Sequence, residues 1–220
     1  MSPLGPGSRW KRIDRSTWLK HCPDHEQRWL VYGRTYIPRA NPPYSPTNQL
    51  IWDLKNFPAS TSARKRKQDA INCFASEVSG LLSSYPNLAF FLVPMPPSKA
   101  SGHPQYDNRI ATVARKVAQS CKNVSYAPLL YQTVSVPSSH QNPACRRSPE
   151  QIYQSFSINE SFVSSYKEGD FLVLLDDVLT SGAHLAAASR RLSERFSGAN
   201  IGGIFWAKTL SEDENEGYQH

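Results

Sequence analysis

Two adjacent carboxylates, Asp176 and Asp177, precede a turn that is rich in hydroxyl groups and glycine. Residues 180–184 read Thr-Ser-Gly-Ala-His, and a helical pattern begins at the alanine. Hydroxyls and free amides at a helix N-terminus bind phosphate well, because the helix dipole places partial positive charge there. The spacing therefore predicts an anion-binding turn with two acids beside it.

The segment before the acids explains how they would be positioned. Residues 171–175 form a short, continuous apolar run, which is typical of a strand buried on both faces of a parallel sheet. The acids then stand at the carboxyl end of this strand, where ligands bind in open α/β sheets. Gly182 allows backbone angles that other residues adopt only with strain.

The remaining pattern is that of an α/β protein with a mostly parallel central sheet flanked by helices. Helical spacing begins near Pro46, Ala63, Ile110 and Leu185. Strands are predicted at residues 29–37, 88–93, 124–130, 171–175 and 201–207. We expect an N-terminal extension over residues 1–28, with a disordered leader at 1–8. After this extension we expect one domain over residues 29–210 and then a disordered acidic tail over residues 211–220.

Residues 132–150 do not fit this alternation. They are rich in Ser, Pro, His, Asn and Arg and show no apolar periodicity. A loop of this length inside a compact domain is usually functional or disordered. We expect a long, flexible cover loop over the site.

Charge and composition indicate the class of partner. The 220 residues carry a formal charge of +7, and four acids lie in the last ten residues, which contain no base, so residues 1–210 carry +11. Such a body favours anionic partners, and phosphorylated metabolites and nucleic acid both qualify. No long apolar run or signal sequence is present, so no membrane partner is expected and a cytoplasmic location follows. Four scattered cysteines without a Cys-x-x-Cys pair indicate reduced thiols, two of them in the core.

Residues 172–183 resemble the phosphoribosyl-pyrophosphate signature of type I phosphoribosyltransferases. Within that family, residues 48–55 resemble the early helix of the ComF-like branch, and residues 93–99 resemble its pyrophosphate loop. The resemblance covers roughly residues 29–208 with the order of parts preserved, and it implies the type I phosphoribosyltransferase fold.

The chemistry that this resemblance implies is displacement of pyrophosphate from carbon 1 of ribose 5-phosphate. Asp176 and Asp177 would contact the ribose hydroxyls directly or through Mg²⁺, and so would serve as catalytic residues and metal ligands. Lys99 would join them in catalysis by offsetting charge on the leaving pyrophosphate. The residues implied to bind substrate are Ser98, Arg109, Leu179, Thr180, Ser181, Gly182, Ala183 and His184.

Departures from the family pattern narrow the implied activity. Thr180 stands where purine-salvage members carry a third acid, which argues against hypoxanthine or guanine as acceptor. His184 replaces the usual Thr, and its imidazole could donate to the 5-phosphate. The N-terminal cysteine cluster of ComF-like proteins is missing, so zinc binding is not carried over.

Several plainer interpretations compete with these. The paired acids alone could be a helix-entry device, and Arg109 could pair with Asp107 or be solvated. His21, Cys22 and His25 are potential zinc ligands without a second pair to complete the site. The basic run at residues 64–67 could contact nucleic acid or form an ordinary solvated helix face.

Two functions therefore follow from the sequence. The first is an enzyme that binds phosphoribosyl pyrophosphate with Mg²⁺ and transfers or hydrolyses ribose 5-phosphate. The second is a non-catalytic regulator or effector with a protein or nucleic-acid partner. By resemblance it would belong to an anti-phage defence system built on a reverse transcriptase.

Overall fold

The computed structural model describes residues 4, 8–13, 19–22, 24–38, 44–135 and 148–210. The predicted acidic tail at 211–220, residues 136–147 of the predicted cover loop and most of the leader at 1–8 lie outside these ranges.

A six-stranded sheet organises the described residues. Its strands follow the spatial order β1-β2-β8-β7-β3-β4, and all neighbours are parallel except β1 and β2. A second sheet pairs β5 and β6 antiparallel. The strands are β1 (Lys11–Arg12), β2 (Leu30–Tyr36), β3 (Phe90–Pro94), β4 (Val124–Tyr126), β5 (Leu130–Gln132), β6 (Phe156–Ile158), β7 (Phe171–Leu179) and β8 (Asn200–Thr209).

Serine caps define where several helices begin. The side chains of Ser45, Ser60 and Ser148 each accept a hydrogen bond from a backbone amide in the first turn of the helix that follows. The helices are α1 (Pro46–Lys55), α2 (Thr61–Ser83), α3 (Arg109–Ser120), α4 (Pro149–Ser155) and α5 (Ala183–Arg195). Short 3-10 turns cover His25–Gln27 and Glu160–Ser165.

The sheet separates two apolar layers. Alternate strand residues face opposite sides, so Val173 and Leu175 pack with α1, α2 and α3, whereas Leu172 and Leu174 pack with α4 and α5. The predicted α/β architecture, with a mostly parallel sheet between helices, is confirmed.

Three differences from the sequence prediction go beyond a shift of one or two residues at the end of an element. The strand predicted at 171–175 continues to Leu179, because the ten-residue β8 pairs with it through Leu179 and outweighs the low strand preference of aspartate. The strand predicted at 124–130 is two strands in different sheets, separated around Pro128, which cannot donate to a ladder. Pro149 begins a helix where a loop was expected.

The described part of the N-terminal extension belongs to the folded body. β1 adds an antiparallel edge to β2, and the Trp10 ring packs over Gly33, where an added Cβ would lie 3.3 Å from it. Ile13 and Leu19 are buried in the layer that contains α5. The domain boundary at residue 28 remains a prediction. Among the residues described, none of the helices combines the length and apolar character that crossing a bilayer requires.

Candidate functional site

The strand order creates a crevice between β3 and β7. The chain leaves β3 through α3, on one face of the sheet, to reach β4, and it leaves β7 through α5, on the other face, to reach β8. These connections run in opposite directions from neighbouring strands, and ligands of open α/β sheets bind at the carboxyl ends of such strands. The predicted pyrophosphate loop and the predicted phosphate turn both begin there.

A cavity of about 400 Å³ opens at this crevice. Seven of the eleven predicted site residues line it: Ser98, Lys99, Arg109, Asp176, Asp177, Thr180 and His184. The other four, Leu179, Ser181, Gly182 and Ala183, do not line it.

Asp177 is almost completely enclosed and paired on both carboxylate oxygens. Its Oδ1 lies 3.0 Å from Lys55 Nζ, and its Oδ2 accepts hydrogen bonds from Arg109 Nε at 3.0 Å and Nη2 at 2.8 Å. Burial alone would favour the protonated acid, but these two cations hold the pKa of Asp177 well below its usual range. Asp177 is therefore a carboxylate that already has two counterions.

Asp176 is in a different environment although it is the next residue. It is half-buried and lines the cavity, and its Oδ1 accepts a 2.8 Å hydrogen bond from the Asp177 amide. Burial, together with the negative charge of Asp177, raises the pKa of Asp176 above its usual range. Asp176 is thus the less encumbered of the two acids for a ligand that enters the cavity.

Arg109 joins the site to α2. Besides Asp177, it contacts Asp107 through Nη1 at 2.9 Å, and Lys67 Nζ lies 2.8 Å from the same Asp107 carboxylate. Burial opposes the charged guanidinium, but the two carboxylates raise the pKa of Arg109. Arg109 therefore lines the cavity, as the resemblance implied, and it also pairs with Asp107, which the sequence had left open as an alternative.

The turn after β7 is held by the N-terminal segment. Gly182 has φ of +79°, a left-handed conformation that favours glycine, and an added Cβ would lie 3.3 Å from Cys22 Cβ. The His21 amide donates to the Ser181 carbonyl at 3.2 Å. Leu179 is buried in the apolar layer, whereas the Thr180 side chain is exposed at the cavity.

The loop after β3 supplies the opposite wall. The amide of Ala100 donates to Ser135 Oγ at 3.0 Å, which links this loop to the first residues of the predicted cover segment. In the part of the chain that the structure describes, the side chains of Ser98, Lys99 and Thr180 make no hydrogen bond or ion pair. Their donors therefore face the cavity without an internal partner there.

Sequence reasoning missed Lys55 as a site residue. Lys55 is the last residue of α1, lines the cavity and contacts Asp177. In the sequence, however, most of the domain lies between these two residues. Tyr36 and Tyr106 also line the cavity. A lysine in the last turn of a helix is common for its interaction with the helix dipole, so its position in the sequence gave no signal of a ligand site.

The other candidate features show ordinary internal contacts. In the basic run, Lys65, Arg66 and Lys67 pair respectively with Asp69, Asp53 and Asp107.

Among the potential zinc ligands near the N-terminus, Cys22 has an internal partner, and the side chain of His25 lies outside the described part of the chain. Cys22 is buried and donates to Asp24 at 3.3 Å, and burial raises the pKa of its thiol to about 12. Within the described ranges, no group of three or more His, Cys, Asp or Glu side chains is placed to hold a metal ion.

The fold and site together define an α/β protein with a charged cavity at the switch point of a mostly parallel sheet. No known family model matches the sequence, and no curated protein matches it. Among solved structures, it is similar to a hypoxanthine phosphoribosyltransferase from Staphylococcus aureus, with 13% identity and a TM-score of 0.39 over 64% of this chain and 73% of that one. A likeness this distant assigns neither family nor activity.

Proposed function

We propose that the protein binds phosphoribosyl pyrophosphate together with Mg²⁺ and transfers or hydrolyses its ribose 5-phosphate group. One observation carries this proposal. A single cavity joins the strand-end acid Asp176 and the turn residue Thr180 to Ser98 and Lys99 of the neighbouring loop. A sugar with phosphate groups at both ends needs anion-binding donors on each side and an acid between them, and residues of these types line the cavity.

The described side chains suggest a division of tasks. Thr180, with the first amides of α5, would bind the 5-phosphate, because these amides have no partner within the helix. Ser98 and Lys99 would bind the pyrophosphate and offset the charge that grows on it as the bond to carbon 1 breaks. His184, at the second position of α5, would donate to the 5-phosphate from the same wall.

Mg²⁺ fits the site as a cation that arrives with the substrate. Magnesium commonly binds through one or two carboxylates, with water and substrate phosphates completing its shell. Asp176 supplies one cavity-facing carboxylate for this purpose. When bound, the cation would neutralise negative charge on the pyrophosphate oxygens.

Thermal denaturation with and without ligand tests the proposal. At a ligand concentration 100 times Kd, binding to the native state contributes about 2.7 kcal/mol, which raises Tm by roughly 5 to 10 °C for a chain of this size. We expect this shift with phosphoribosyl pyrophosphate plus Mg²⁺ and a much smaller one when EDTA removes the metal. Asp176→Asn should abolish the dependence on metal.

Asp69→Asn is the matched control, because it makes the same chemical change at an exposed carboxylate on α2. It should keep the full shift. No shift in the unmodified protein at millimolar ligand would contradict the proposal.

Release of pyrophosphate then separates enzyme from regulator. Release without an acceptor indicates hydrolysis, and release only with an added base or nucleic acid indicates transfer. We expect hypoxanthine and guanine to fail as acceptors, because the resemblance places Thr180 where purine-salvage members of the family carry a third acid. Binding without release under every condition would favour the non-catalytic alternative.

The basic run at residues 64–67 is a weak candidate for contact with nucleic acid. Its residues Lys65, Arg66 and Lys67 form ion pairs within the protein, and these pairs reduce the positive charge that the run offers to a partner.

A further inference from the structure

The two neighbouring acids differ in what they can still bind. Asp177 is 4% exposed and has a cation on each of its oxygens. Asp176 is half-buried, and its Oδ1 accepts the backbone amide of Asp177. A metal ion that bound Asp177 would have to displace Lys55 or Arg109, or lie beside both positive charges. Coordination at Asp176 requires neither change.

Asp177 also joins two helices that contribute cations to the cavity. Lys55 comes from the last turn of α1, and Arg109 is the first residue of α3. The Lys55 side chain is 24% exposed, and that of Arg109 is 20% exposed. The carboxylate between them offsets their mutual repulsion and keeps both at the cavity wall.

The two cations differ in the shape of their donor groups. Arg109 divides its donors between Asp177 and Asp107 in three hydrogen bonds of 2.8 to 3.0 Å. A lysine ammonium carries three donors and rotates freely about its stem. Because Lys55 lines the cavity, its ammonium can turn toward an anion there and still lie close to Asp177.

We infer that Lys55 is an anion-contacting residue of this site and that Asp177 is a positioning residue that holds Lys55 and Arg109, while Asp176 alone of the pair ligates the metal. This inference rests on the proposed function and specifies which side chains meet the ligand. It assigns adjacent carboxylates to separate tasks.

Isothermal titration of the full chain with inorganic pyrophosphate and with phosphoribosyl pyrophosphate, each with and without Mg²⁺, tests the assignment. Lys55→Gln should weaken the affinity for phosphoribosyl pyrophosphate with Mg²⁺ about ten- to hundredfold, the range for one hydrogen bond between charged groups. The matched control Lys65→Gln, at an exposed lysine of α2, should change it less than twofold.

The ratio of the pyrophosphate affinities measured with and without Mg²⁺ shows which of the two acids ligates the metal. Asp176→Asn should bring this ratio to about one, whereas Asp177→Asn should preserve it. In the Asp177→Asn background, Lys55→Gln should lose most of its effect, because Lys55 is no longer held in place. If Asp177→Asn does not fold, Lys55→Gln still tests the assignment, because the Lys55 side chain is partly exposed.

Two results would overturn the inference while the proposed function stands. One is that Asp177→Asn brings the ratio of pyrophosphate affinities with and without Mg²⁺ to about one, as Asp176→Asn does. The other is an affinity within twofold of wild type in Lys55→Gln. An unmodified chain that binds no phosphoribosyl pyrophosphate would instead overturn the proposed function and the inference together.

Discussion

The indole nitrogen of Trp206 donates a 2.8 Å hydrogen bond to Glu77 Oε2, which joins β8 to α2 inside the apolar layer. Arg34 of β2 pairs with the same carboxylate, and the Trp206 ring stacks on Phe74 with centroids 4.7 Å apart. Glu77 therefore connects two neighbouring strands to the helix that covers them. Its side chain is 12% exposed.

Glu77→Gln should destabilise the fold in a manner that depends on pH. Burial favours the protonated acid, but hydrogen bonds from Arg34 and Trp206 lower the pKa of Glu77 overall. Its ionised form therefore stabilises the fold above the unfolded pKa of about 4.3, and this contribution is lost as pH falls through the lower native value.

We expect urea denaturation at pH 7 to show a loss of about 3 kcal/mol for Glu77→Gln, as for removal of one partner of a buried ion pair. The difference from wild type should shrink below about pH 4. Asp69→Asn on the same helix should show a small effect at both pH values. A difference that stays constant with pH would show that the charge of Glu77 is not responsible.

Gly182→Ala should destabilise the protein more than Gly198→Ala. The φ angle is +79° at Gly182 and +78° at Gly198, so an alanine meets the same backbone strain of about 1–2 kcal/mol at each position. Only at position 182 does an added Cβ meet neighbours, at 3.3 Å from Cys22 Cβ, whereas position 198 is open. We expect an additional loss of about 1 kcal/mol at position 182, measured by thermal denaturation. Equal losses would mean that residues 19–22 do not support this turn.

Asn48→Ala should weaken the attachment of α1 to β2. The buried Asn48 amide donates to the Ile37 carbonyl at 2.8 Å and accepts from the Ile37 amide at 3.3 Å. Removing it leaves both backbone groups without these partners, at a cost of about 1–3 kcal/mol in the free energy of unfolding. Gln49→Ala, one position further on, should cost much less, because Gln49 is only half-buried. Chemical denaturation measures both.

Trp10→Ala should show that the N-terminal segment is part of the stable fold. Trp10 is 7% exposed and belongs to the same apolar layer as Trp206. Truncating a buried tryptophan costs about 3–5 kcal/mol. Lys11→Ala, at an exposed neighbour, should leave Tm almost unchanged. A loss below about 0.5 kcal/mol for Trp10→Ala, the size of a surface substitution, would contradict the packing described here.

Local patterns made much of this architecture predictable. The stripe from Ala70 to Leu82 has helical spacing because one face of α2 is buried, and the apolar run before Asp176 reflects a strand covered on both sides. The turn at residues 180–184 was also readable, since its glycine, hydroxyls and following helix are neighbours in sequence.

The remaining features depend on contacts between distant segments. Lys55 meets Asp177 only after α1 and β7 have packed on the same sheet. Trp10 and Leu19 lie in a mostly polar segment whose few apolar residues follow no sustained helical or strand period, so the sequence did not mark them as core. The short β5 is paired with β6, which follows the whole segment predicted as a cover loop, and this pairing has no local signature.

The position of β8 in the sheet has a consequence for how the chain folds during synthesis. β8 is the last strand described, yet it lies between β2 and β7, and Leu30 is in register with Gly203. On the ribosome, one edge of β2 can be covered by β1 from the start, but the other stays open until residues 200–209 have emerged. Such late, long-range pairing is slow and leaves an edge exposed to other chains. The central sheet therefore stays unfinished from the synthesis of β2 until that of β8, and the two walls of the cavity, after β3 and β7, come together only late in that interval.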